Sequence, residues 1–230
     1  MRHDSLQRAQ RFFLLFVLAL LAVVGLLAAR NVGIGFDDVK ALAPAGSLGP
    51  AWNRQIALIS GHAGNDSGAT CEDAAGNVLL TEAEINARVA ELAAGQLRRA
   101  GADVTILEEY DPRLEDLQVD VLLSIHADSC IDASGYKAAF YVNTLIPTAA
   151  DRLLTCIDAH YPAATGLAHH PNTVTHDMTE YHAFRRIDPQ TPAAIIEIGF
   201  LGGDQQLLND DPRLVARGIV ESLNCFLEPT

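Results

Sequence analysis

Short apolar runs alternate with amphipathic segments through the chain after residue 54. Brief apolar runs bounded by turn residues are typical of buried strands, whereas apolar positions three or four residues apart indicate helices. The pattern predicts strands at 55–59, 103–107, 119–124, 136–142 and 193–198, and helices at 81–100, 147–160 and 212–226. Because apolar strands joined by helices favour parallel pairing, we expect a single three-layer α/β domain with a mostly parallel twisted sheet flanked by helices.

The N-terminus carries a different pattern. Phe12–Ala29 is a run of 18 residues without charge or proline, and about 20 apolar residues span a bilayer. Arg2, Arg8 and Arg11 precede this run, and positive charge favours the cytoplasmic side. We therefore expect residues 1–11 in the cytoplasm, a transmembrane signal-anchor helix at 12–29 and the rest of the chain outside. The alternative is a cleaved signal peptide, which would release a secreted protein.

The chain beyond this segment is strongly acidic. The 230 residues carry a net charge of −13. Residues 1–30 hold four Arg against one Asp, whereas residues 31–230 hold 12 basic and 28 acidic residues. A nucleic-acid binder would need a basic face, so that class is excluded.

Residues 30–53 are rich in Gly, Ala and Pro and predict a linker. The folded domain is expected at 54–230.

All four cysteines, Cys71, Cys130, Cys156 and Cys225, follow the apolar N-terminal segment. An even number of cysteines outside the cytoplasm indicates disulfides, and three pairings are possible. We favour Cys71 with Cys130, because each closely follows a loop expected at the same edge of the fold. Cys156 would then pair with Cys225 and connect two helices.

Four side chains are expected to meet at that edge. His62 follows the first strand, His126 ends a second, and Glu197 lies near the end of a third. Glu82 begins the helix that returns from the first strand. The carboxyl ends of parallel strands and the first turns of the helices that follow them share one edge of a sheet, where ligands bind.

Two histidines and one glutamate form a ligand set for a catalytic zinc with one open position. His62, Glu82 and His126 fit that set, and Glu197 fits the unligated carboxylate that acts as general base. The spacing has no local signature such as HExxH, and Glu82 could simply complement a helix N-terminus. Glu197 is harder to explain structurally, because a carboxylate within an apolar strand must be paired, protonated or functional.

Four segments of the chain occur in a recognisable order: SGHAGNDSGA at 60–69, TEAEIN at 81–86, SIHAD at 124–128 and PAAIIEIGFL at 192–201. They resemble motifs of the zinc-dependent N-acetylmuramoyl-L-alanine amidases of the amidase-3 type. The resemblance covers about residues 55–226. It implies that His62, Glu82 and His126 hold Zn²⁺ and that Glu197 is catalytic. It also implies cleavage of the amide between the muramic acid lactyl group and L-alanine in peptidoglycan, a substrate outside the membrane.

The chain departs from the family pattern without losing any of these residues. Ala63 replaces a second glycine, Asp128 replaces an asparagine, and residues 201–203 replace a Ser-Asn ending. The stretch between Leu107 and Val119 is short and lacks the family's arginine-led helix.

Residues 165–192 are predicted to form a loop that faces the substrate. Arg185 or Arg186 would hold a stem-peptide carboxylate, since guanidinium suits that geometry. The loop contains His169, His170, His176 and His182, interpreted as solvated residues rather than as a second metal site.

Two other classes of function stay open. One is another zinc-dependent cell-wall hydrolase, a carboxypeptidase or deacetylase. The other is a non-catalytic peptidoglycan-binding domain on the same scaffold. The sequence does not indicate whether a partner protein activates the chain.

Overall fold

The computed structural model describes residues 49–170 and 173–229. The predicted cytoplasmic N-terminus, membrane segment and most of the predicted linker lie outside these residues. Within the described ranges, no helix combines the length and apolar character needed to cross a membrane. Residues 49–53, at the end of the predicted linker, form a turn in which Ala51 is buried and the Asn53 amide donates to the Gly101 carbonyl.

The described ranges form alternating strands and helices, as the apolar pattern predicts. The strands are β1 Gln55–Ser60, β2 Thr70–Glu72, β3 Val78–Thr81, β4 Asp103–Leu107, β5 Val121–Asp128, β6 Lys137–Ala139 and β7 Ala193–Phe200. The helices are α1 Glu82–Arg99, α2 Pro147–Thr165, α3 His176–Thr179, α4 Gln205–Asp210 and α5 Pro212–Leu227. Short 3₁₀ turns lie at Pro112–Leu114 and His182–Arg185.

Five strands form the main sheet in the order β4-β1-β5-β7-β6. All neighbouring pairs are parallel except β6 with β7, which is antiparallel. The predicted mostly parallel α/β sheet is therefore confirmed. The carboxyl ends of β1, β4, β5 and β7 meet at one edge, which places the segments that follow them side by side.

Several elements differ from the sequence prediction. The predicted strand 136–142 is reduced to β6, because the chain turns away at residues 141–144. Residues 70–72 and 78–81 form the antiparallel pair β2–β3, which the apolar pattern did not predict, because strands of three and four residues are too short to show alternation. Helix α2 continues past residue 160, because its last turn is anchored by the buried Tyr161, whose hydroxyl donates to the Ile198 carbonyl at 2.6 Å.

The two faces of the sheet are covered differently. One face packs against the apolar sides of α1, α2 and α5 and forms the larger core. The other face packs against Leu114 and the irregular segment 174–187, whose buried members include Met178, Tyr181 and Phe184. Part of the segment predicted to face the substrate is therefore a structural layer of the domain.

Both favoured disulfides are present. Cys71 in β2 bonds to Cys130 in the loop after β5, and their Cα atoms are 5.3 Å apart. Cys156 in α2 bonds to Cys225 in α5, with a Cα separation of 5.7 Å. The first bond ties the β2–β3 hairpin to the edge that carries His126, and the second fixes two helices of the larger core.

Candidate metal centre

Three of the predicted site residues meet at the carboxyl edge of the sheet. His62 follows β1, Glu82 is the first residue of α1, and His126 lies in β5. One donor atom from each lies within 4.8 Å of the others. Residues separated by 20 and 44 positions in sequence are thus brought to one point by the parallel topology.

Glu82 is the centre of this cluster. Thr81 caps α1 by accepting the Glu84 amide at 3.3 Å, so the helix begins with Glu82 turned into the edge. The Oε2 atom of Glu82 lies 3.2 Å from His62 Nε2, and Oε1 lies 3.0 Å from His126 Nδ1. Burial alone would raise the pKa of Glu82. The hydrogen bonds with both histidines outweigh burial and hold that pKa well below its usual range.

The backbone also fixes the Glu82 carboxylate. Ala69 donates its amide to Oε2 at 3.0 Å, and Ala127 donates its amide to Oε1 at 3.1 Å. Asn86, one turn along α1, donates its side-chain amide to Oε1 at 3.3 Å and to the Gly61 carbonyl at 3.2 Å. The carboxylate is held by donors from three segments, so its orientation does not depend on either histidine.

His62 is held in a conformation that few residues other than glycine adopt, with φ of 65°. Its Nδ1 lies 2.5 Å from Asp66 Oδ1, and the Gly68 amide donates to the same oxygen at 2.8 Å. The hydrogen bond with Glu82 raises the pKa of His62, and partial burial opposes that rise. Strained backbone of this kind persists where surrounding contacts over-determine it, which is common at functional sites.

His126 is buried between two carboxylates. Its Nδ1 faces Glu82, and its Nε2 lies 3.4 Å from Glu109 Oε2. Burial lowers the pKa of His126, but the hydrogen bonds with Glu109 and Glu82 raise it to about 10. The imidazole packs against Gly61, where a Cβ atom would lie 2.6 Å from ring atoms. Gly61 is therefore required by the close approach of the ring.

The donor set fits a divalent metal ion. Imidazole nitrogens and a carboxylate oxygen are the ligand types of catalytic zinc sites. Each histidine turns one ring nitrogen to Glu82 and the other to a second carboxylate, Asp66 or Glu109. Metal-binding histidines commonly make this outer contact, which fixes the ring and its tautomer.

Glu197 lies beside this cluster. It is opposite His126 in the pairing of β5 with β7 and opposite Lys137 in the pairing of β6 with β7. Its Oε2 atom is enclosed and has no hydrogen-bond partner within the described part of the chain. Burial raises the pKa of Glu197 to about 7, although the nearby His126 opposes that rise. The Lys137 ammonium is already paired with Asp128, so Glu197 keeps an unpaired oxygen.

Arg185 and Arg186 make contacts away from the cluster. Arg185 donates to Glu180 at 3.1 Å, and Arg186 donates to the Asp111 carbonyl at 3.1 Å. Among the residues that the structure describes, neither guanidinium hydrogen-bonds or pairs with the cluster or with Glu197. A substrate role for either arginine stays a prediction.

Sequence reasoning missed Glu109 and its partners. Glu109 follows β4 at the same edge and accepts the Tyr181 hydroxyl and His182 Nε2, each at 2.8 Å. Ligands bind at the edge where the carboxyl ends of parallel strands meet, and this rule, which identified His62 after β1, applies equally to a residue after β4. His182, interpreted as a solvated loop residue, belongs to this buried network. The other three loop histidines lie outside the metal cluster.

Comparison with protein families gives a specific result. The Amidase_3 family, described as N-acetylmuramoyl-L-alanine amidase, matches residues 56–225. The chain belongs to this amidase family. The match spans every strand and helix from β1 to most of α5, including the three cluster residues and Glu197. Membership places the chain among hydrolases. No protein in the curated set matches the chain.

Solved amidase structures share the fold. The apo N-acetylmuramyl-L-alanine amidase of Mycobacterium abscessus aligns with a TM-score of 0.61 at 16% identity, covering 77% of this chain and 100% of that one. The catalytic domain of CwlV from Bacillus (Paenibacillus) polymyxa var. colistinus gives 0.55 at 20% identity, covering 74% and 96%. CwlD of Clostridioides difficile, solved with the GerS lipoprotein, gives 0.59 at 17% identity, covering 76% and 98%.

Proposed function

We propose that this amidase-family chain hydrolyses the amide between the muramic acid lactyl group and L-alanine of peptidoglycan. In this proposal His62, Glu82 and His126 hold Zn²⁺, and Glu197 is the general base and acid. The observation that carries it is the convergence of two imidazoles on the Glu82 carboxylate, with Glu197 opposite His126. The family match and the similarity to solved amidases support the substrate.

Zinc bound by these three side chains would polarise the scissile carbonyl and lower the pKa of water. The chain's own residues supply the rest of the chemistry. Glu82 is held by backbone amides, and the outer ring nitrogens of both histidines face carboxylates, so the ligand atoms are pre-positioned.

Glu197 performs the proton transfers. Its carboxylate accepts a proton from the attacking water at one oxygen and passes it to the amine of the departing L-alanine. A group that must take and return a proton near neutral pH works best with a pKa close to the working pH. Burial brings the pKa of Glu197 to about 7, which suits both steps.

The proposed location of the enzyme follows from the apolar run at the N-terminus. Phe12–Ala29 would anchor the chain in the membrane, or direct its secretion if cleaved, and the catalytic domain would face the cell wall. Two disulfides in the domain agree with a compartment outside the cytoplasm. Arg185 or Arg186 is proposed to receive a carboxylate of the stem peptide.

Product analysis of digested peptidoglycan tests the proposal. We expect mass spectrometry to detect intact stem peptides released from the glycan, and we expect a chelator to stop the release and added Zn²⁺ to restore it. Glu82→Gln should abolish the release, whereas Glu84→Gln, a matched change at an exposed carboxylate two residues later, should not.

Other products would contradict the proposal in distinct ways. Loss of only a terminal amino acid would indicate a carboxypeptidase, and release of acetate would indicate a deacetylase. Binding to peptidoglycan without any cleavage at saturating Zn²⁺ would indicate a non-catalytic domain.

A further inference from the structure

Glu109 is a buried carboxylate whose two oxygens have different partners. Oε1 accepts the Tyr181 hydroxyl and His182 Nε2, each at 2.8 Å. Oε2 accepts the His62 amide at 2.9 Å and lies 3.4 Å from His126 Nε2. It therefore contacts both histidines of the metal cluster, yet it is not one of the side chains that could share an ion with them.

The surroundings of His126 give its two ring nitrogens different roles. The Nε2 edge is enclosed by Gly61, by the Tyr181 hydroxyl at 3.5 Å and by Glu109. The Nδ1 atom faces Glu82, which also contacts His62. Neutral imidazole carries a hydrogen on only one nitrogen, and only the bare nitrogen can bind a metal. Whatever accepts a hydrogen bond from Nε2 thereby leaves Nδ1 free for the ion.

We propose that Glu109 is a positioning residue that accepts the Nε2 hydrogen of His126 and so directs the Nδ1 lone pair to the metal site. Tyr181 and His182 hold the Glu109 carboxylate in place, and Tyr181 also accepts the Ser124 hydroxyl at 3.1 Å. This inference rests on the proposed metal site. It assigns Tyr181 and His182, from the segment predicted to face the substrate, to the support of a metal ligand.

Glu109 has a second effect through the backbone. Its acceptance of the His62 amide stabilises the left-handed conformation that turns the His62 ring back toward Glu82. One carboxylate thus orients both imidazole ligands, by a side-chain contact in one case and a main-chain contact in the other. Loss of such an outer contact commonly weakens metal affinity by about 10–100-fold.

The test measures Zn²⁺ affinity of the full chain in detergent micelles by competition with a chromophoric chelator. Glu109→Gln keeps the size of the side chain and removes its charge, and we expect about 10–100-fold weaker binding. Glu108→Gln removes the same charge from the adjacent, exposed residue and should leave affinity within about twofold of wild type. Unchanged affinity in Glu109→Gln, or equal losses in both variants, would overturn the inference.

A direct readout is the tautomer of His126. The zinc-loaded protein is labelled with ¹⁵N-histidine, and the ring signal of His126 is identified by its absence in His126→Gln. We expect this signal to show a hydrogen on Nε2 and none on Nδ1. Hydrogen on Nδ1 would refute the proposal. If Glu109→Gln does not fold, His182→Phe replaces it, because this change removes a donor to Glu109, keeps the carboxylate and leaves in place the Tyr181 hydroxyl that lies 3.5 Å from His126 Nε2. We then expect a smaller loss of affinity, and no loss would count against the idea.

These experiments separate two failures. If wild-type protein binds no Zn²⁺, the proposed metal-dependent function fails. If wild-type protein binds Zn²⁺ and Glu109→Gln binds it equally well, only the positioning role fails.

Discussion

Glu197 in β7 lies directly opposite His126 in β5, at the carboxyl edge of the sheet. The parallel register thus places an unligated carboxylate beside an imidazole of the metal cluster. Glu82, from the first turn of α1, contacts the same imidazole from another side. One histidine therefore has three carboxylates around it, each from a different element, because Glu109 approaches its other ring nitrogen. In the proposed function each of these acids has a separate task.

The first prediction concerns Glu197 itself. Glu197→Gln keeps the shape of the side chain and removes its ability to accept a proton. General acid–base groups contribute about 10²–10⁴-fold to rate, so we expect a loss of that size in kcat on purified muropeptide, with unchanged Zn²⁺ content. Glu91→Gln, at an exposed position of α1, is the matched control and should retain full activity. Turnover at the wild-type rate in Glu197→Gln would remove Glu197 from the mechanism.

The pH dependence of hydrolysis should follow the ionisation of Glu197. The base must be ionised to work, and burial raises its pKa to about 7. A bound cation would favour the ionised form and lower that pKa. We therefore expect activity to fall as pH decreases through a value at or below about 7, with about a tenfold loss per pH unit on the acidic side. The measurement is a profile of kcat/KM from about pH 5 to about pH 9, a range that brackets the expected pKa.

Lys137 provides a check on this assignment. It is opposite Glu197 in the sheet, and its positive charge lowers the pKa of Glu197. Lys137→Met should shift the fall of activity at acidic pH to higher pH, because it removes a charge that favours the ionised carboxylate. An unchanged pH profile in a folded Lys137→Met protein would mean that a group other than Glu197 controls this fall.

The carboxyl-edge rule explains both what the sequence could reveal and what it could not. His62, Glu82, His126 and Glu197 could be placed together because continuous apolar strands imply parallel pairing, which fixes which ends of the strands meet. Glu109 stands next to the exposed Glu108, and no local pattern distinguishes the buried acid from the exposed one. Its burial depends on tertiary contacts with the segment 174–187.

The sequence pattern was equally uninformative about residues 174–187, which cover one face of the sheet. Residues 174–187 are mixed in polarity and lack a long helical period, so the pattern predicted a loop. In the structure Tyr181 and Phe184 are buried against the sheet. The sequence also could not predict that β6 pairs antiparallel with β7, because a strand of three residues is too short to indicate its direction.

A stability prediction concerns the disulfide between Cys156 and Cys225, which joins α2 to α5 across 69 residues of sequence. A cross-link closing a loop of that length stabilises a protein by about 4 kcal/mol, chiefly by restricting the unfolded chain. Replacing both cysteines with alanine should lower the free energy of unfolding by about that amount in urea titrations. The Zn²⁺ affinity should be retained in buffer, because the bond lies in the helical core away from the metal cluster. Reduction of wild-type protein would lower stability further, since it also opens the Cys71–Cys130 bond.

A second stability prediction concerns Asp111 and its pH dependence. Hydrogen bonds from Arg113, with partial opposition from burial, lower the pKa of Asp111 to about 2. A folded-state pKa below the unfolded value contributes stability that is present above the ordinary value, near 4, and is lost as pH falls toward 2. Because the Arg113 side chain is 59% exposed, screening limits the contribution to about 1 kcal/mol. Asp111→Asn should therefore be less stable than wild type at pH 7 by about that amount.

The difference between wild type and Asp111→Asn should shrink as pH falls from 4 to about 2, because the wild-type carboxyl then becomes protonated. Urea unfolding at several pH values measures this convergence. Asp103→Asn, at an exposed residue of β4, is the control and should differ little from wild type throughout. A deficit in Asp111→Asn that stays constant down to pH 2 would show that the side chain acts through packing or neutral hydrogen bonds rather than through its charge.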